Sequence, residues 1–354
     1  MFTSEFSFFS LFILFIIAVL FVDLGIFNKK PHPIKFKEAA IWCIVWVSFA
    51  LAFYIFLKYR GELIHTPANI QELHEYAIKY KHNIVLPDND FQSALKIYKD
   101  NLALEFLTGY LIEYALSVDN VFVMVLIFLA FGIRTKHYKR VLFWGILGAI
   151  LLRFLFIFIS STLISQFHWI LYIFGGFLVI TGIWMFYTRN QEEKIEPQNH
   201  LIVKFTSKYF NVFPRNVADH FFIRRKKILM FTPLFVVLLV IEFSDIIFAV
   251  DSIPAIFSVT NDPFIVFFSN IFAIIGLRAL FFVVMNVIDK FHFLKSGLSV
   301  LLTFIGFKML FGNWLKGVGF TTVYALYIVL MILVVSIGAS LLFPKKIEVK
   351  TKTD

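Results

Sequence analysis

Apolar residues run along this chain in long stretches separated by short polar connections. The stretches fall at about 8–27, 38–57, 104–131, 140–164, 168–187, 229–253, 264–286, 297–312 and 322–343. Each is close to the roughly 20 residues an α-helix needs to cross the hydrocarbon core of a bilayer. The pattern predicts an all-α, polytopic chain of nine membrane-spanning helices, the third long and the eighth short, with tilts or breaks to match.

The polar connections carry a second pattern. Lys29, Lys30, Lys35 and Lys37 follow the first stretch, Arg134, Lys136, Lys139 and Arg140 the third, and Arg224 to Lys227 close the connection after the fifth. Lys345, Lys346, Lys350 and Lys352 follow the last, while 165–167 and 254–263 contain no Lys or Arg. Basic residues mark the cytoplasmic side, so the N-terminus is expected outside and the C-terminus in the cytoplasm. The resulting units are 1–57 (two N-terminal helices), 58–103 (an extracytoplasmic loop, read as a small helical cap) and 104–187 (three helices). After them come 188–228 (a cytoplasmic connection), 229–312 (three helices) and 313–354 (the last helix and a basic tail).

Composition narrows the class. Of 354 residues, 60% are hydrophobic and 48 are Phe, with a mean hydropathy of +0.83, more apolar surface than a soluble domain of this size can bury. The formal charge of +10 resides in short loops, which argues for membrane orientation and against nucleic acid. A single cysteine, Cys43, excludes an internal disulfide framework or a Cys-rich metal site. The first stretch has Glu5 ahead of it and no Lys or Arg, so it is read as a retained helix rather than a cleaved leader.

An acidic motif occurs twice inside this apolar sequence. Glu113-Tyr-Ala-Leu-Ser-Val-Asp119-Asn120 and Asp245-Ile-Ile-Phe-Ala-Val-Asp251-Ser252 share the order acid, five residues, Asp, small polar residue. The likeness continues: Arg153 matches Arg278, His168 matches His292, Gly182 matches Gly306 and Met185 matches Met309. Offsets are 132 for the acids, 125 for the arginines and 124 for the last helix. Each unit holds three helices, an odd number, so the second must enter the membrane from the opposite side. Inverted repeats of this kind form transporters whose substrate sites lie near the midplane.

Charges at membrane depth point the same way. The acids are Asp23, Glu113, Asp119, Glu242, Asp245 and Asp251; the bases are Arg153, Arg278 and Lys308. An ionised carboxylate there costs roughly 3 kcal/mol on insertion scales, and the acids outnumber the bases by three, so the excess must be protonated or balanced by a cation. Acids six residues apart lie about 240° around a helix and do not share a face, whereas Glu242 and Asp245 do. A site using both members of a motif needs local unwinding, plausible near Pro254, or takes one acid from each helix. Ser117, Asn120, Ser244, Ser252 and Asn270 offer neutral oxygens. The donor set is oxygen-only, which suits Mg²⁺, Mn²⁺ or Ca²⁺ better than Zn²⁺ or Cu⁺. The structural alternative is an ion pair, an even match for Glu242 and Asp23 and the favoured role of Arg153 and Arg278. The glycines Gly175, Gly176, Gly182 and Gly306 fit close helix packing.

Leu107-Thr-Gly-Tyr-Leu-Ile-Glu113, Ser117-Val-Asp-Asn-Val-Phe122 and Phe248-Ala-Val-Asp-Ser-Ile-Pro-Ala-Ile-Phe257 strongly resemble the TerC family of bacterial membrane proteins, its Alx-type members above all. Leu171 to Gly175, Asp262 to Val266 and Phe272 to Arg278 add to the likeness, which spans about 8–343. The resemblance implies a multi-pass protein of the bacterial inner membrane, manganese export, and an association with tellurium resistance. It also implies Glu113, Asp119, Asn120, Glu242, Asp245 and Asp251 as the ion's residues. Ser117, Ser252, Arg153, Arg278 and Asp23 are read as supporting them.

The expectation is therefore a secondary transporter, not an enzyme, that exports Mn²⁺ and exchanges it for protons, with no bound cofactor and the bilayer as its surroundings. Competing readings are an exporter of another small cation and a scaffold or redox component of a stress response. An intramembrane hydrolase ranks below them: His74-Glu75 lacks the second His of a zinc protease, since Ile78 stands there. No phosphate-binding Gly-rich Lys-Ser/Thr loop is present, so coupling to an ion gradient is the default.

Overall fold

A computed structural model of the chain describes residues 2–27, 36–167, 169–188, 220–225, 228–287 and 293–343. His168 and His292 lie outside the described residues, as does most of the 188–228 connection. The described residues form twelve helices and one small hairpin. In chain order these are α1 (Phe2–Phe27), α2 (Phe36–Arg60), α3 (Glu62–His65), α4 (Ile70–Lys79), α5 (Phe91–Ala130), α6 (Thr135–Gln166) and α7 (Ile170–Thr188). Then follow β1 (Phe222–Arg225), β2 (Ile228–Phe231), α8 (Pro233–Phe257), α9 (Pro263–Val287), α10 (Leu294–Leu310), α11 (Gly312–Gly317) and α12 (Thr322–Leu342).

Seven of these helices are long and apolar enough to cross a membrane: α2, α5, α6, α7, α8, α9 and α12. Two shorter apolar stretches, Phe8–Leu20 of α1 and Ser296–Leu310 of α10, coincide with the first and eighth expected segments. The third segment is longer than its hydropathy suggested. It begins at Phe91, well before position 104, and runs 40 residues without interruption. The expected helical cap thus consists of α3, α4 and the first turns of α5. Among the described residues the one departure from all-α is the antiparallel pair β1–β2, where Phe222 pairs with Phe231 and Arg225 with Ile228. Thr232 ends it, its hydroxyl donating to the His220 carbonyl at 2.8 Å, and Pro233 opens α8.

α9 is the central helix, with 94% of its most apolar window buried among neighbours. The N-terminal helices pack on it through aromatic rings: Phe12 lies 4.4 Å from Phe268 between centroids, and Phe53 lies 4.7 Å from Phe272 and 5.0 Å from Phe106. Such tilted and edge-on pairs suit the ring quadrupole. Ser269 also donates to the Phe106 carbonyl at 3.0 Å, tying α9 to α5.

The two three-helix units pack as two-fold partners. α5 lies on α9 and α8 on α6, which are equivalent contacts, while α5–α8, α6–α9 and α7–α10 each join a helix to its counterpart. The side chains repeat this symmetry at α7–α10. A Cβ on Gly182 would stand 2.8 Å from the Ser299 carbonyl and 2.8 Å from the Thr303 nitrogen; one on Gly306 would stand 2.7 Å from the Gly175 carbonyl and 2.8 Å from the Val179 nitrogen. Adding the offset of 124 turns 175, 179 and 182 into 299, 303 and 306, so these are the same contact seen twice. Small residues let the two backbones touch, the usual cement between helices in lipid.

Candidate functional site

The centre of the bundle is built around Arg153 of α6. Its guanidinium is fully buried and forks onto Asp245 of α8, with Nη2 donating to Oδ1 at 2.9 Å and Nε donating to Oδ2 at 3.2 Å. Its Nη1 donates to Oε1 of Glu113 on α5. Glu113 and Asp245 are the counterpart first acids of the two motifs, and both are buried, at 0% and 1% exposure. One positive charge therefore serves two negative ones, drawn from opposite repeats. A bidentate guanidinium–carboxylate pair is the strongest such arrangement available to side chains. Both Asp245 oxygens are used, whereas Oε2 of Glu113 has no hydrogen-bond partner.

On α5, α8 and α9 further buried polar atoms have no hydrogen-bond partner: Ser117 Oγ, Asn120 Nδ2, Ser252 Oγ, Glu242 Oε2 and both amide atoms of Asn270. Ser117 and Asn120 follow Glu113 by four and seven residues, and Ser252 follows Asp245 by seven, so each set shares a helix face with its acid. Ser244 is different, because its hydroxyl donates to the Val240 carbonyl at 2.8 Å within its own helix. Orphaned polar atoms at this depth are costly unless water or an ion reaches them.

In this structure the first acids of the two motifs take the ion-pair role that the sequence favoured for Arg153. Glu113 and Asp245 are engaged with Arg153, so they are not two free carboxylates awaiting an ion. Among the described residues no three His, Cys, Asp or Glu side chains converge on a point that could hold a metal. The local unwinding considered for the motifs is absent from the backbone: α5 is helical through 113–120, and α8 continues past Pro254 to Phe257. The side chains of Asp23, Asp119 and Asp251 lie outside those described.

Glu242 and Asp245 do share a face, since both turn toward α6. Glu242 is accommodated by Gly148, where a Cβ would collide with the whole carboxylate. Gly148 was not singled out in the sequence; its spacing of three from Gly145 is the signal that could have found it. A narrow pocket beside Asp245 is lined by Met124, Gly145, Ala149, Ile241, Asp245 and Arg278. Its α6 residues precede Arg153, and Arg278, the counterpart of Arg153, is among its lining.

A second polar cluster, at the cap end, joins residues that the sequence scattered. His65 (α3), His82 (after α4), Tyr98, Asn101 and Glu105 (α5) and Asp262 (before α9) are all buried together. His82 Nδ1 lies 3.0 Å from Glu105 Oε1, which also accepts from Asn101 Nδ2 at 2.8 Å. His65 Nδ1 lies 2.8 Å from the Tyr98 hydroxyl, and its Nε2 lies 3.5 Å from Asp262 Oδ2. Only Asp262-Pro263 advertised itself, as a capping residue followed by proline at the first helical position.

Comparison with known proteins agrees with this architecture. The profile described as "Integral membrane protein TerC family" matches residues 98–348. An uncharacterized membrane protein of Myxococcus xanthus is 42% identical over 300 residues, covering 85% of this chain and 82% of its own length. The Alx protein of Escherichia coli (strain K12), whose name describes it as a candidate membrane-bound redox modulator, is 42% identical over 293 residues, 82% of each chain. An uncharacterized membrane protein of Rickettsia felis is 38% identical over 298 residues, covering 84% of this chain and 86% of its own. No solved structure matches the chain. With more than half its length matched by the profile and its spanning helices arranged as two related units, the chain belongs to the TerC family of integral membrane proteins.

Proposed function

We propose that the protein is a secondary transporter that exports a divalent metal ion, Mn²⁺, from the cytoplasm in exchange for protons. The observation that carries this reading is the Arg153 bridge: counterpart acids of two related repeats meet on one guanidinium at a fully buried point. A structural ion pair has no reason to recruit symmetry-related acids. A site that must look alike from both sides of the membrane does.

In this reading Arg153 stands in for the cargo. The ion enters by the pocket beside Asp245, on the end of the bundle that the basic loops put in the cytoplasm. There the acids exchange the guanidinium for the metal, while Glu242, Asn120 and Ser252 replace part of its hydration shell. Repeat rocking then gives the acids to Arg278 as the pocket closes and its counterpart opens outward. Protons taken up by the emptied carboxylates support the return. Mn²⁺ rests on the family resemblance, because hard oxygen donors alone suit Mg²⁺ and Ca²⁺ as well. A redox role through the chain's own thiols would have only Cys43 to work with.

The test is Mn²⁺ accumulation in inside-out vesicles carrying the full chain, with and without a pH gradient. The reading expects gradient-dependent uptake, abolished by Asp245→Asn while the protein stays in the membrane. Unchanged uptake in that variant overturns it.

A further inference from the structure

The polar cluster at the cap end plays no part in the function proposed above, and its geometry points to a use of its own. We propose that His65 and Asp262 form a proton-binding site that governs how the cap holds the first turn of α9. The ligand is a proton, and the site is made only when α3, α5 and the α8–α9 connection are assembled.

The contact is unusual in its openness. His65 and Asp262 are both 0% exposed, yet Nε2 and Oδ2 stand 3.5 Å apart and neither has a hydrogen-bond partner. An N–H···O bond normally spans 2.7–3.2 Å. The other ring nitrogen, Nδ1, is committed to the Tyr98 hydroxyl at 2.8 Å. Two arrangements satisfy this chain, and they differ by one proton. With Asp262 ionised, the Tyr98 hydroxyl donates to Nδ1, and Nε2–H faces the carboxylate. With Asp262 protonated, its O–H donates to Nε2, and Nδ1–H donates to the Tyr98 oxygen. Protonating Asp262 therefore switches the His65 tautomer without charging the ring.

The surroundings favour that exchange near neutral pH. Burial pushes the Asp262 carboxyl up to about 7, against the pull of His82 and of the Phe264 and Ile265 backbone N–H groups; Glu105 adds to the rise. Burial, with the charges of His82 and Lys79, holds His65 well below the usual imidazole range, so it stays neutral. His82 goes the other way, because Glu105 outweighs the burial that opposes its charge. The described titratable groups facing the pair are then Tyr76, Lys79 and Tyr80 from α4, His82 after it, and Tyr98 and Glu105 from α5. Tyr76 and Tyr80 cover the His65 ring at 5.0 and 4.9 Å, closing it to bulk water.

Asp262 also caps α9. Its Oδ1 accepts the Phe264 N–H at 2.9 Å, so neutralising it weakens the anchor of the most buried helix. Proton binding thus shifts Asp262 from holding α9 toward holding the cap. This inference does not rest on the transporter reading.

The experiment uses the full chain in lipid nanodiscs with ¹⁵N-labelled histidine, read by ring-nitrogen shifts between about pH 5.5 and about pH 8.5. Hydrogen exchange at residues 264–266 is followed on the same samples. In the unaltered chain, one histidine should change tautomer without charging, and exchange at 264–266 should rise several-fold on the acid side. In Asp262→Asn that histidine should stay in one tautomer and exchange should be high throughout. If this variant does not fold, the unaltered chain decides alone. Ring shifts that stay flat for every uncharged histidine, or a titration unaltered in Asp262→Asn, overturn the proposal.

Discussion

Gly306 and Gly175 touch backbone to backbone where α10 crosses α7: a Cβ on Gly306 would lie 2.7 Å from the Gly175 carbonyl oxygen. The equivalent contact in the other direction is Gly182 on Ser299. Because the two are related by the repeat, Gly182→Ala and Gly306→Ala should each destabilise the protein, by a similar ~1–3 kcal/mol, the usual cost of overpacking. Gly176 is the control. It lies in the same helix with nothing within 4 Å of its would-be Cβ, so Gly176→Ala should gain about 0.5–1 kcal/mol from helix propensity. Thermal unfolding of the three purified variants in one detergent checks the signs.

Removing Arg153 leaves two carboxylates buried without a counter-charge. Arg153→Met should cost about 3–5 kcal/mol and lower the amount of protein in the membrane. Adding Glu113→Gln and Asp245→Asn to it should restore most of that amount, because the uncompensated charges are gone. The triple variant should not transport. Membrane abundance and vesicle uptake, measured side by side, separate the structural share of this bridge from the functional one.

Glu242 depends on the space left by Gly148. Gly148→Ala should push the carboxylate away from α6 and reduce Mn²⁺ uptake by roughly tenfold, the scale of losing one partner near a metal. Glu242→Gln should reduce uptake to a similar extent while leaving the unfolding temperature near its original value. Equal uptake by all three proteins would remove Glu242 from the proposed path.

Stability should depend on pH through the cap. Asp262 has its carboxyl raised from 3.8 to about 7, so the folded state holds that proton more tightly; the stability this represents is intact below about 3.8 and lost as pH rises through about 7. His82 is raised too, and its contribution is present below 6.5 and lost above its folded value. His65 is lowered and acts oppositely, costing stability as pH falls below 6.5. Above 6.5 His65 no longer opposes the first two, so the unfolding temperature should fall as pH rises past neutrality. Asp262→Asn should flatten the part of that fall below about pH 7. Thermal scans across the pH range, with limited proteolysis between residues 58 and 103, would show it.

The spanning helices were legible because lipid imposes its requirement locally: about 20 apolar residues in a row leave few alternatives. The repeat was legible for the same reason that Gly182 and Gly306 matter, since close packing tolerates no side chain there. The start of α5 was hidden. Gln92, Lys96, Lys99 and Asp100 lower its hydropathy, although Ala94, Tyr98 and Leu102 are buried at a four-residue spacing that marks one face of a helix. The central bridge was half visible. Sequence symmetry offers Arg153 and Arg278 equally, but a single conformation chooses one arginine for both acids. The cap cluster was invisible for another reason: His65, His82, Glu105 and Asp262 come from four separate places and form no motif until the chain is folded.

One helix carries both polar centres. At about 1.5 Å per residue, the 40 residues of α5 make a rod of roughly 60 Å, twice the thickness of the hydrocarbon layer. Glu113 rides near its middle and Tyr98 some 22 Å away at the level of the cap. Any tilt about the buried guanidinium is therefore magnified toward the cap: about 10° displaces Tyr98 by ~4 Å. The lever needs no relay of side chains, only stiffness, and it makes the cap a mechanical gauge of what happens at the midplane.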